Sequence, residues 1–253
     1  MRIDVLTLFP EACEPFFEAS VLGRARRSGR VTITCHNIRD FTTDPHRKVD
    51  DRPFGGGPGM VMMCQPVIDA VEAVEKLAES PATRVLLTPQ GMRLDQRIVE
   101  ELSTRSRLLL VAGHYEGFDE RIRELLSPME ISVGDYVLSG GEAAAMVVVD
   151  AVVRLLPGVL GDETSIEEES FSTQPLAAEN GAGRAELAAY LEYPQYTRPR
   201  VYREKEVPEI LLSGDHARIR AWRADEALRR TVERRPDLVA NRLTKTDTPE
   251  CRH

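Results

Sequence analysis

The first 160 residues predict an α/β fold with a parallel sheet, and two observations carry that prediction. Short, continuous apolar runs recur at Ile3–Phe9, Val31–Ile38, Arg84–Thr88, Leu108–Ala112 and Glu130–Val133. Runs without polar alternation mark strands whose two faces are both covered. Between them lie stretches of helical length and pattern at Pro15–Arg27, Pro66–Glu79, Leu94–Ser103, Phe118–Leu126 and Gly141–Leu156. Strand and helix in alternation require crossover connections, hence parallel pairing within three layers.

Two segments interrupt the alternation. Arg39–Met60, RDFTTDPHRKVDDRPFGGGPGM, is too long for an ordinary connection; loops of that length are lids, binding loops or disordered. Gly158–Gly183 mixes acids, Ser, Gly and Pro and reads as an interdomain linker. A helical patch follows. Ser213-Gly-Asp215 supplies a helix start with Ser or Asp as cap, and HARIRAWRADEALRRTVERR runs from there to Pro236. Ile219, Trp222, Leu228 and Val232 form its expected core stripe, with Arg218, Arg220, Arg223, Arg229 and Arg230 on the other faces. No internal repeat is visible.

Composition narrows the class. With 42% hydrophobic and 29% charged residues the chain is an ordinary folded protein, and disorder, collagen and coiled coil are excluded as its main character. The opening MRIDVLTLFPEACEPFF carries acids early and lacks the apolar core of a secretory signal. The longest apolar run, Ala143–Val149, is far short of the roughly 20 residues of a membrane span. Cys13, Cys35, Cys64 and Cys251 form no CxxC pair, which argues against a zinc site or a disulfide framework and fits a reducing cytoplasm. The net charge of -8 is unevenly spread: from residue 174 onward 15 Lys+Arg face 13 Asp+Glu, leaving that part at +2 and the rest at -10. An arginine-rich tail suits phosphate contact, and a solvated helical surface suits the same charges equally well.

There is no GxxxxGK[ST] phosphate loop, and no GxGxxG follows the first strand. GGGPG at Gly55–Gly59 lies in the long loop, where a glycine run is more often a hinge than a ligand cradle. Three other segments sit beyond the carboxyl ends of strands, where open α/β sheets bind ligands. They are LLTPQG (Leu86–Gly91), AGHYEGFDER (Ala112–Arg121) and SVGDYVLSGGE (Ser132–Glu142). Their glycines leave backbone N–H and C=O groups open, which can read adenine and ribose without a charged side chain. Glu116 and Asp135 could face a cation such as a sulfonium. Taken singly each is an ordinary turn; the three together predict a pocket.

GHYEGFDER, SVGDYVLSGGE, FGGGPGM (Phe54–Met60), YPQYTRP (Tyr193–Pro199) and LLSGDH (Leu211–His216) together resemble the bacterial tRNA (guanine-N1)-methyltransferase family, of the SPOUT class. The resemblance runs in the same order over nearly the whole chain. It implies a trefoil-knotted, parallel-sheet methyltransferase domain over 1–160, a linker over 161–192 carrying the base, and a small all-α tRNA-binding domain over 193–253. By match, S-adenosylmethionine is held in the knot by Leu87, Thr88, Pro89, Gly113, Tyr115, Glu116, Gly117, Val133, Gly134, Asp135, Tyr136, Val137, Leu138, Gly140 and Gly141. Pro58 and Gly59 match the guanine pocket; Tyr196, Arg198, Ser213, Asp215 and His216 match RNA-facing positions. The family works as a homodimer with a composite site, methylates the guanine just 3′ of the anticodon when the preceding base is also guanine, and has no membrane association. No residue is assigned to a metal, although Mg²⁺ could neutralise charge near RNA or the donor.

Guanine N1 carries a proton and must lose it to attack a methyl carbon, with charge spreading to O6. Such a reaction needs a base near N1 and a donor or cation near O6. The resemblance assigns the base to Glu169, in EEESF, and the cation to Arg154. Outside that context Glu169 reads as a solvated linker charge and Arg154 as a favourable C-terminal helix charge. Three departures from the family pattern stand out: Glu169 replaces the usual aspartate, Leu86 replaces a frequent aromatic, and Pro175–Leu191 is longer than usual. Two other readings remain open at the level of sequence: a knotted methyltransferase acting on a ribose 2′-oxygen, and a tRNA-binding protein that only senses the donor. A nucleotide-dependent oxidoreductase is disfavoured by the missing glycine fingerprint.

Overall fold

The computed structural model describes residues 1–161, 169–171 and 190–240. The chain divides into two compact units, Met1–Gly161 and Asp162–His253. In the first, five strands form one fully parallel sheet: β1 (Arg2–Thr7), β2 (Thr32–Asn37), β5 (Thr83–Arg93), β6 (Arg107–Ala112) and β7 (Met129–Ser132), in the order β2-β1-β6-β5-β7. The expected α/β class and the five strands are as the apolar runs predict.

Each residue of β6 is buried, because the strand is central and covered on both sides. Leu108, Leu110 and Ala112 enter one core with α1 (Pro10–Glu18), α2 (Ser20–Arg27), α4 (Gln96–Ser103) and α6 (Glu142–Val153). Leu109 and Val111 enter the other, with α3 (Cys64–Glu75) and α5 (Glu120–Leu126). The alternation of successive side chains across a strand thus supplies both cores from one run. Each fully buried Leu or Val contributes about 1.5–3 kcal/mol of transfer free energy.

Side-chain caps fix the starts of α4 and α5. Asp95 caps α4 by accepting from Ile98 N at 2.9 Å, and Asp119 caps α5 by accepting from Arg121 N at 3.0 Å. The helix expected over Pro15–Arg27 is instead two helices beginning at Pro10. Ala19 is extended and Ser20 has φ 46°, so the chain turns there. Gly23 permits that turn: a Cβ on it would lie 2.0 Å from the Glu18 carbonyl oxygen. The long loop is also more ordered than expected. It holds a 3₁₀ turn at Ile38–Phe41 and an antiparallel pair, β3 (Asp50–Asp51) with β4 (Val61–Met62), over a fully buried Val49.

The second unit contains β8 (Val201–Tyr202) and β9 (Lys205–Glu206) as an antiparallel pair, a 3₁₀ turn at Glu209–Leu212, α7 (His216–Arg234) and α8 (Pro236–Ala240). It is therefore not wholly helical. Asp215 is the cap of α7, accepting from Arg218 N at 3.1 Å. The core stripe of α7 differs from the expected one. Ala224, Ala227 and Thr231 are buried, whereas Val232 is 53% exposed. Small residues are needed there because Tyr190 and Tyr193 pack against Ala227, and Leu191 N donates to Thr231 Oγ1 at 2.8 Å. Arg223, expected on an outer face, lies over the Tyr193 ring at 4.5 Å. Most of the sequence linker, including Pro175–Leu191 up to residue 189, and the tail from 241 lie outside the described residues.

Candidate functional site

β6, β5 and β7 are neighbours in the sheet, so the three turns that leave their carboxyl ends converge. They enclose a cleft of about 200 Å³. Of the fifteen residues matched to donor binding, all but Asp135 line it. The lining is mostly backbone and apolar surface, with the nearly buried Thr88 among the few polar side chains.

Close backbone packing shapes the cleft. Gly141, just before α6, donates its N–H to the Gly113 carbonyl at 2.7 Å. A Cβ on Gly141 would lie 2.8 Å from Ala112 Cα and Gly113 N, so only glycine admits this approach. At Gly91 a Cβ would meet Ile131 N at 2.4 Å, which explains how β5 continues past Leu87 and re-pairs Met92 with Ile131. Beneath the α6 start, Thr7 Oγ1 donates to the buried Glu142 carboxylate at 2.7 Å.

Tyr115 holds a left-handed backbone at φ 60°, a conformation a non-glycine residue adopts at a cost of about 1 kcal/mol or more. Its ring is 43% exposed and lies edge-on to His114 at 5.1 Å; His114 in turn lies 5.2 Å from Phe9. Pro58 and Gly59 end the glycine-rich loop beside this rim. A Cβ on Gly59 would fall 2.3 Å from a Glu116 carboxylate oxygen, and Glu116 N donates to Met60 O at 3.0 Å.

Sequence reasoning missed several lining residues. His114 lies inside a motif already singled out, so its presence was readable. Gln90 likewise lies inside LLTPQG, but Arg123 gave no sign: it is 33 positions from Gln90 and meets it only through the fold, where Arg123 Nη2 donates to Gln90 Oε1 at 3.1 Å. The same guanidinium bonds Glu130 at 2.9 Å and Glu120 at 2.8 Å, tying α5 and β7 to the β5 turn.

Arg154 does not line the cleft. It is the C-terminal cap of α6, whose 12 residues carry the chain about 18 Å from Gly141. Glu169 belongs to the second unit and is half-buried; its segment is held by Glu192 N donating to Ser170 Oγ at 2.9 Å and Phe171 N to Tyr190 O at 2.8 Å. That unit also has a cleft of about 730 Å³, lined by Tyr196, Arg198 and His216 together with Arg200, Arg220 and Arg223. Ser213 and Asp215 lie outside its lining and serve the helix start, with Asp215 N donating to Ser213 Oγ at 3.1 Å.

A parallel sheet with main-chain turns at three adjacent strand ends around one cleft, in place of a phosphate loop, has the architecture of an α/β enzyme. The profile described as tRNA (Guanine-1)-methyltransferase TrmD matches residues 1–241, and the chain belongs to that family. It is 52% identical over 240 residues to a tRNA (guanine-N(1)-)-methyltransferase of Rhodopirellula baltica, covering 94% of each chain. Proteins of the same name from Dehalococcoides mccartyi (51% over 248 residues; 98% of this chain, 94% of the relative) and Chloroflexus aurantiacus (52% over 252; 98% and 93%) are equally similar. The chain is thus a methyltransferase of tRNA modification. Among the described residues no helix is long and apolar enough to cross a membrane.

Proposed function

We propose that the protein methylates N1 of the guanine immediately 3′ of the tRNA anticodon, with S-adenosylmethionine bound in the cleft of the first unit. The convergence of fourteen matched residues on that cleft carries the reading. The lining suits the donor: apolar walls and open main-chain groups receive adenosine, no phosphate-binding loop is present, and the Glu116 carboxylate at the rim offers a negative partner for the donor's sulfonium. When bound, S-adenosylmethionine supplies an electrophilic methyl carbon on sulfur. In this reading the backbone is the trefoil knot of the SPOUT class, a known exception to unthreaded chains.

Glu169 takes the N1 proton as the N1–methyl bond forms, and Arg154 stabilises the charge that reaches O6. The position of Arg154, a helix length from the cleft in its own chain, supports a homodimer in which a second copy completes the site. The arginine-lined cleft of the second unit receives tRNA phosphates, and any Mg²⁺ serves only to neutralise charge near the RNA or the donor, with no residue assigned to it. The enzyme acts in the cytoplasm, where its substrate resides.

The test is incubation with labelled S-adenosylmethionine and two tRNAs that differ only in the base preceding the target, followed by reverse transcription. Label uptake and a stop at the guanine are expected only when guanine precedes it. A ribose methyl would leave reverse transcription unblocked and overturn the N1 assignment. Glu169→Gln and Arg154→Ala should each lower kcat by about 10²–10⁴-fold; full activity in both would remove their assigned roles.

A further inference from the structure

We infer that Phe54 is a base-stacking residue, its ring docking on the RNA base beside the one turned into the cleft. The inference rests on the methylation reading above, which makes RNA the partner. Phe54 is 98% exposed, the most exposed large hydrophobic side chain among the described residues. A single exposed ring is ordinary by itself; its placement on a loop anchored to the cleft rim is what gives Phe54 weight.

The ring sits at the tip of a loop whose stem is fixed. Asp50 pairs with Met62 and Asp51 with Val61; Val49 is fully buried, and Met63 N donates to Val49 O at 2.8 Å. Beyond the stem, Gly55, Gly56 and Gly57 hold φ of 86°, 80° and 121°, and a Cβ on any of them would meet nothing within 4 Å. Phe54 is therefore carried on a glycine joint above a rigid base. The far strand of the stem runs into the cleft rim, where Met62 N donates to Gly117 O at 2.9 Å.

The surroundings favour RNA over a protein partner. Arg52, two residues away, is exposed, and Arg39 reaches the exposed Tyr115 hydroxyl at 3.5 Å. Asp51 of the stem is taken up by Lys48 at 3.0 Å, which leaves Arg52 as the exposed charge beside the ring. A cation next to a ring suits an unpaired nucleotide, phosphate on the one and base on the other. A guanine withdrawn from its stack leaves the neighbouring base with an open face, and a planar apolar ring on a movable tip fills that gap.

The experiment uses the full chain with Trp222→Phe, which removes its single Trp, and adds Phe54→Trp as the sole indole. Titration with unmodified tRNA, without donor, should quench the indole saturably. In the otherwise native enzyme, Phe54→Ala should raise the tRNA KM by about 10- to 100-fold, the range expected for one stacked base, with donor affinity unchanged. Phe54→Tyr should restore the KM and Phe54→Leu should not. An unquenched indole, a KM within twofold of native in Phe54→Ala, or rescue by Leu would overturn the proposal. So would an indole shielded by raising protein concentration alone, which would mark the ring as a contact between copies. A quenched indole in an enzyme that leaves guanine N1 unmethylated would uphold the stacking and sink the reaction assignment instead.

Discussion

The two ends of the parallel sheet are built from opposite chemistry. At the amino ends, Asp4 and Arg107 are fully buried and meet at 3.1 Å, with His36 at 2.9 Å and Arg2 at 2.8 Å completing the carboxylate's shell. Arg107 also donates to the carbonyls of Val74, Glu75, Ala78 and Ser80. Among the described residues, no buried side-chain nitrogen or oxygen at that end lacks a hydrogen-bond partner. At the carboxyl ends, glycine turns, a left-handed Tyr115 and exposed rings leave backbone groups and apolar faces open. The comparison teaches that one end is closed and stabilising, while the other, at some cost in strain, holds open the cleft proposed as the donor site.

The sharpest way to break that division is Asp4→Asn. It strands the Arg107 charge in the core and should cost about 3–5 kcal/mol in urea unfolding, without altering donor affinity of the folded protein. Burial pushes the Asp4 carboxyl up, but hydrogen bonds from His36 and Arg2 outweigh it and hold the group at about 2. Because its folded value lies below the unfolded value of about 3.9, its stabilisation is complete above that pH. It is lost as pH falls toward about 2. The native protein should therefore lose more stability than Asp4→Asn over that acid window.

At the opposite end Gly141→Ala should do the reverse. A Cβ 2.8 Å from Ala112 Cα displaces the α6 start, lowering kcat/KM by an order of 100-fold with a smaller shift in urea midpoint. Thr7→Val sharpens the boundary between the two. It leaves the Glu142 carboxylate buried without its hydroxyl donor and should cost about 1–3 kcal/mol. The smallest effect falls to Tyr115→Gly. Relief of the left-handed backbone, about 1 kcal/mol, offsets the lost edge contact with His114, so stability should hardly move while methyl transfer falls.

The binding end was legible in the sequence because its determinants are local: glycines within short turns at strand ends carry their own conformational signature. Gly113, Gly134 and Gly141 announced the cleft before any fold was known. The stabilising end was not legible. Asp4 and Arg107 are 103 positions apart, and an arginine opening an apolar strand gives no sign that it will be fully buried. The α7 stripe was legible only in part, for a related reason: Ile219, Trp222 and Leu228 are half-buried as expected, but Val232 is exposed and the buried positions are small. Hydrophobic periodicity favours large residues, while the tyrosines packed on that helix demand Ala227 and Thr231. The break at Ala19 was not legible because Ala-Ser carries no strong turn signal; the extended Ala19, the left-handed Ser20 and the close approach at Gly23 appear only in the fold.

The central claim, that backbone turns at the carboxyl ends form the methyl-donor site, is tested most directly by diffraction from crystals soaked in S-adenosylmethionine. The account predicts donor density enclosed by the turns at Thr88, Gly113 and Val133–Gly141. Density bound elsewhere, or none in that cleft at saturating donor, would contradict it.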